Sequence, residues 1–192
     1  MANDRYPRLV KLKDGSSVTL RLMTPEDGAA IRAFAAKLAP DDLLFLRIDI
    51  TSKAGVEEWI ANLKKGNNLS VLAFDGSDLA GYASVNRNSA GWTRRVGEIR
   101  INISPDRRGT GLGGILTAEA FDLGRAAGLR KLTAQMTPDQ AGARAVFEHL
   151  GFQPEALLAD WVEDRNGRTR DLLVMSYDLD GFTDRIDEPL KG

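Results

Sequence analysis

A chain of 192 residues, 43% of them apolar, is long enough for one domain with a substantial core and short for two. Its 26 basic and 27 acidic residues leave a formal charge of −1, which argues against a general nucleic-acid or membrane-surface binder. The absence of cysteine excludes disulfides, thiolate metal sites and cysteine nucleophiles, and the single histidine, His149, leaves little scope for a histidine-based triad or a zinc centre, so no metal is expected.

The first residues, Met1 to Pro7, are polar and carry no apolar signal core, and no segment approaches the length of a membrane span, so a cytoplasmic protein is the expectation. Arg8 to Lys13 and Val18 to Met23 alternate around Asp14-Gly15-Ser16 and predict a hairpin. Thr24-Pro25-Glu26-Asp27 is a helix start, and the helix is expected to run to about Leu38, where Pro40 follows. Asp41 to Thr51 predicts an irregular connection, and Ala54 to Lys65 a second helix with Val56, Trp59, Ile60 and Leu63 on one face. Leu69 to Asp75, Leu79 to Arg87 and Val96 to Ser104 predict strands. A helix follows with Leu112, Ile115, Leu116, Ala120 and Leu123 at 3.6-residue spacing, ending near Gly128. Lys131 to Met136 predicts a strand, Asp139 to Leu150 a helix, and Phe152 to Glu163 with Thr169 to Leu179 a closing hairpin whose turn contains Asn166-Gly167. The order predicts a single α/β (α+β) domain over 1–192 with one mixed sheet and helices on both faces. Its core is expected over about 18–179, with an outer strand at 8–13 and a polar tail at 181–192.

One stretch carries chemistry. Ile101 to Ser104 is a strand end, Arg108-Gly109-Thr110-Gly111-Leu112-Gly113 a glycine-rich turn, and an apolar helix starts at once. Glycines allow close backbone approach, and the helix start aims unpaired N–H groups at the same point, so the turn reads as an anion site suited to phosphate, with Arg107 and Arg108 beside it. A P-loop would need a Gly-Lys-Ser/Thr ending, which is missing here. Gly109 to Gly114 spells Gly-x-Gly-x-x-Gly, but it lies mid-chain after several strands rather than in an opening βαβ unit.

The turn, between a strand and a helix, resembles the pyrophosphate loop Arg/Gln-x-x-Gly-x-Gly/Ala of the GNAT superfamily of acyl-CoA-dependent N-acyltransferases. Phe147-Glu148-His149-Leu150-Gly151-Phe152 is similar to a second hallmark of that family, a late aromatic-x-x-Leu-Gly-Phe segment. The resemblance spans about Val18 to Leu179. The segment from Asp14 to Asp27 also looks like that of bacterial protein-lysine acetyltransferases.

The resemblance implies a splayed central sheet and an acetyltransferase that uses acetyl-CoA as donor and an amine as acceptor, either a protein lysine or a small molecule. It implies that Arg108, Gly109, Thr110, Gly111, Leu112 and Gly113 hold the pyrophosphate, and that Ile101, Asn102 and Ile103 pair with the pantetheine arm and offer a backbone N–H to the thioester carbonyl. By strand period the side chains of Ile101 and Ile103 face the core. A free alkyl amine, with a pKa of about 10.4, must lose a proton before attack, and Glu98 stands where many relatives carry a general-base glutamate. A salt-bridged Glu98, with Arg100 or Arg94, is the alternative. Gln140 stands where a helical Asn often holds pantetheine. Phe147 replaces a tyrosine that serves many relatives as acid, so water, Tyr177 or Tyr82 would have to protonate the leaving thiolate. A non-catalytic acyl-CoA sensor is the second reading, and monomer and homodimer both stay open.

The remaining candidates have ordinary readings. His149 reads as a solvated helix residue. Trp59, Trp92 and Trp161 could line an acceptor groove or pack in the core. Asp41, Asp42 and Asp49 could attract a cationic amine or simply form a solvated acidic loop.

Overall fold

The computed structural model describes residues 5–43, 46, 48–88, 91–164 and 167–179. Eight strands form one sheet in the order β1-β2-β3-β4-β5-β6-β8-β7. They are β1 (Arg8–Lys11), β2 (Ser17–Leu22), β3 (Asn68–Asp75), β4 (Asp78–Arg87), β5 (Val96–Ile103), β6 (Lys131–Met136), β7 (Gln153–Glu163) and β8 (Thr169–Asp178). Every neighbouring pair is antiparallel except β5 and β6. A parallel pair needs a crossover, and the helix α4 (Leu112–Ala126) supplies it.

The period-2 pattern of the strands sends alternate residues to two cores. On one face Val71, Ala73, Ala83, Val85 and Ile99 pack under Leu112, Leu116, Ala120 and Leu123, the stripe that the sequence placed on α4. On the other face Leu72 and Tyr82 pack under Ile31 and Phe34 of α1 (Gly28–Ala35) and Val56 and Trp59 of α3 (Lys53–Lys64). Helices therefore cover both faces, as the element order predicts. Ser52 caps α3, its Oγ accepting from Gly55 N–H at 3.0 Å.

Some boundaries differ from the sequence reading. The helix expected to reach Leu38 ends at Ala35, after opening with a tight turn over Pro25–Asp27. The stretch expected to be irregular begins with a short helix, α2 (Pro40–Leu43). The last helix, α5 (Ala141–His149), starts two residues later than expected, because Gln140 has ψ 56 and is its N-cap rather than part of it. Asn166, the polar tail and parts of the 41–51 connection lie outside the described residues. Among the described residues no helix is long and apolar enough to cross a membrane.

Candidate active site

The sheet is split at its centre. The parallel ladder of β5 and β6 holds three pairs, Val96–Lys131, Gly97–Leu132 and Glu98–Thr133. Beyond them β5 follows β4 as far as the Ile103–Gly81 pair, while β6 follows β8 as far as Met136–Leu173. The two strands part, and the opening is a groove of about 90 Å³ lined by Ile99 to Asn102 on one side, Ala134 to Met136 on the other, and Gln140 and Phe147 from the α5 side. A strand edge released from its partner offers backbone N–H and C=O groups to an extended, amide-bearing ligand, which can add as a further strand.

The glycine turn lies where β5 leaves the groove. Gly109 and Gly111 have φ 77° and 87°, in the left-handed region that glycine tolerates and other residues resist. Gly111 is the N-cap of α4, so the first N–H groups of that helix point out of the turn. No atom lies within 4 Å of the point a Cβ on Gly109 would occupy, so the approach to the turn is open on that side. A Cβ on Gly113 would sit 3.1 Å from Ile103 Cδ1. Leu112 is fully buried and Thr110 nearly so, the Thr110 Oγ1–H donating to the Arg107 carbonyl at 2.7 Å. Their side chains are therefore structural, and only their backbone can face a ligand. This open cradle of N–H groups fits a pyrophosphate.

Carboxylates already occupy the two cations of the turn. Arg108 Nη2 meets Asp42 Oδ2 at 2.5 Å, and Arg107 pairs with Asp75. Asp42 thus answers a cation of its own chain while it lines the groove. Asp49 Oδ1 accepts from Thr51 N–H at 3.0 Å, a local turn. Lys13, which the sequence did not single out, donates its backbone N–H to the Thr110 carbonyl at 2.9 Å and lays its side chain over Gly111. Only a sequence signal that the first hairpin docks on the turn could have found it, and hairpin patterns carry none.

On the helix-covered face named for α1 and α3, Glu98 is buried and pairs with Arg100, whose Nε and Nη2 both donate to Oε1, at 2.9 and 2.6 Å. Glu98 stands at the apex of the split and is salt-bridged to Arg100, one of the two partners that the alternative reading named. Asn102 Nδ2 donates to the Tyr82 hydroxyl at 2.7 Å. Burial pushes the Tyr82 phenol up to about 12, against the smaller opposing effect of the Asn102 bond, so it keeps its proton at neutral pH. Tyr177, the other candidate acid, stacks on Phe121 at 4.7 Å on the opposite face and does not line the groove. Ile101 and Ile103 turn their side chains to the α4 core, as the strand period predicts. Gln140 lines the groove, but its Oε1 accepts from Thr137 N–H at 3.3 Å.

A larger cavity of about 560 Å³ opens beside the groove, between α3 and the same face of β3, β4 and β5. Arg100 and Leu46 line both spaces. Trp59 belongs to the cavity wall and to the core, whereas Trp92 and Trp161 are exposed. His149 is exposed, as its helical position suggests. Among the described residues no three His, Asp or Glu side chains gather as a metal site would require.

The model of the acetyltransferase (GNAT) family matches residues 37–152. A mycothiol acetyltransferase of Beutenbergia cavernae is 39% identical over 67 residues, 34% of this chain and 23% of the relative. A streptothricin acetyltransferase of Streptomyces lavendulae is 33% identical over 75 residues, 39% of each. The chain therefore matches well under half the length of these curated relatives. In fold it is similar to a putative acetyltransferase of Salmonella typhimurium solved with its cofactor acetyl-CoA, with a TM-score of 0.73 and 22% identity over 86% of this chain and 95% of that one.

Proposed function

Because the chain belongs to the acetyltransferase (GNAT) family, we propose that it moves an acetyl group from acetyl-CoA to a primary amine. The observation that carries this reading is the parting of β5 and β6 after Glu98–Thr133, on the strand that runs into the glycine turn. A phosphate anchor, an extended edge and a buried carboxylate then follow one another along a single strand.

In this reading the N–H groups of Gly109 to Gly113 and the Arg108 guanidinium hold the pyrophosphate, Arg108 exchanging Asp42 for phosphate. The free edge of Ile101 to Ile103 pairs with the pantetheine amides, and a backbone N–H there polarises the thioester carbonyl. Gln140 and Phe147 close the other side of the groove. Glu98 takes the proton from the attacking ammonium, directly or through water, while Arg100 fixes the carboxylate. The amine nitrogen bonds to the acetyl carbon, the carbon–sulfur bond breaks, and the thiolate receives a proton. Phe147 has none to give. Tyr82, whose hydroxyl accepts from the groove-lining Asn102 but does not itself line the groove, acts on the thiolate only through water, and that water supplies the proton.

Release of free thiol from acetyl-CoA in the presence of an amine panel and lysine peptides tests this reading. Turnover with at least one acceptor is expected. CoA binding without turnover of any acceptor would instead support the second reading, an acyl-CoA sensor, which Phe147 in the acid position favours.

A further inference from the structure

The floor of the 560 Å³ cavity is built from one face of β4 and β5, where Ser84 stands opposite Arg100 and Asn86 opposite Glu98. A relay fixes what that floor presents. The Trp59 indole can only donate, and its Nε1–H goes to Asn68 Oδ1 at 3.0 Å. The Asn68 amide is thereby oriented, and its Nδ2 donates to Asn86 Oδ1 at 2.7 Å. That bond takes one lone pair of the Asn86 carbonyl and fixes the side-chain orientation, which leaves its NH₂ free to donate. Arg100 spends Nε and Nη2 on Glu98, which leaves Nη1. Among the described residues, Asn86 Nδ2, Arg100 Nη1 and Ser84 Oγ have no hydrogen-bond partner. Three groups able to donate, one of them a guanidinium, therefore line one cavity. Glu58, exposed on α3, is the carboxylate that lines the same cavity.

A floor of donors is a poor seat for a polycationic amine and a good one for anionic oxygen. We propose that the acceptor is a small zwitterion, a primary amine that also bears a carboxylate or phosphorus oxyacid group, and that Ser84, Asn86 and Arg100 seat that anionic group. The inference rests on the acetyltransferase reading. The cavity volume lies in the range of small-molecule sites, and a protein lysine brings only neutral peptide carbonyls, not an anion, to the three donors.

Matched pairs test it: an α-amino acid and the amine left by its decarboxylation, with an aminophosphonate as a third member, scored both by thiol release and by calorimetric binding to the CoA-loaded protein. The oxyacid member is expected to have a kcat/KM at least about tenfold higher, the effect of one charge-assisted hydrogen bond. Either oxyacid supports the proposal. In Asn86→Asp, and separately in Ser84→Ala, the ratio between pair members should fall by about the same factor. Equal use of both members, preference for the decarboxylated amine, or a lysine peptide outperforming both overturns it. If no amine is turned over, the catalytic reading fails and calorimetry still decides: preferential binding of the oxyacid members sustains the anionic seat, and indifference removes it. If a variant does not fold, the comparison on the unaltered chain decides alone.

Discussion

Glu98 and Thr133 are the last facing pair of the parallel ladder, and every consequence of the split begins from that pair. The carboxylate is buried at the apex and takes two N–H donors from Arg100 on one oxygen. Replacement by Gln keeps the shape and removes the base. In Glu98→Gln, kcat/KM for the amine is expected to drop by about 10²–10⁴, while calorimetric affinity for acetyl-CoA stays within error. An unchanged rate would make Glu98 a purely structural partner of Arg100.

Tyr82 is wedged between Phe34, at 5.8 Å, and Trp59, at 4.9 Å, and its hydroxyl meets Asn102. In Tyr82→Phe the packing survives, and the hydroxyl that would orient Asn102 and a proton-donating water does not. Because a thiolate leaves readily, the expected loss in kcat is modest, about tenfold, equivalent to one hydrogen bond. The loss should persist with a donor of the same acyl group and shrink with a more acidic thiol leaving group. Equal loss with both donors would assign Tyr82 to architecture alone.

The sequence disclosed the glycine turn and the helix behind it better than the cavity beside the groove, for a physical reason. Gly109 and Gly111 are legible because a left-handed turn at a helix start constrains residue type at fixed spacing. The α4 stripe is legible because burial on one face imposes a period. The donor floor is not, since Ser84, Asn86 and Arg100 meet only through the register of β4 on β5, and nothing local sets that register. The Trp59–Asn68–Asn86 relay is likewise invisible, because it joins a helix to two strands. Gln140 shows the limit of motif placement: the residue lines the groove as the resemblance implies, but as an N-cap rather than from within the helix.

Gly111 combines φ 87° with a crowded neighbourhood, since an added Cβ would lie 3.0–3.1 Å from three side-chain carbons of Lys13. Gly109 has a similar φ and empty space. Gly111→Val is therefore expected to cost about 1–2 kcal/mol of stability from the backbone alone, and to abolish the rise in melting temperature that acetyl-CoA produces. Gly109→Ala should carry the backbone cost without the clash with Lys13 and keep part of the shift. Equal behaviour of the two variants would show that Lys13 exerts no constraint there.

Asp27 links the first hairpin to α1: both its oxygens meet Arg21, whose guanidinium lies 4.4 Å from the Phe74 ring centre, and Oδ2 accepts from Thr24 N–H at 2.7 Å. Burial pushes the Asp27 carboxyl up, but the Arg21 and Thr24 hydrogen bonds outweigh it and hold it below the ordinary value. The folded chain therefore binds this proton less readily than the unfolded chain does. The stabilisation is present in full above the unfolded pKa of about 3.9 and is lost as pH falls through the lower folded value. Asp27→Asn should cost about 1–3 kcal/mol at neutral pH. Chemical denaturation of parent and variant from neutrality to below pH 4 checks this. The difference between them should hold steady down to about pH 4 and then close. A gap that stays constant to the lowest pH would mean that packing, and not the ionised pair, carries the contribution of Asp27.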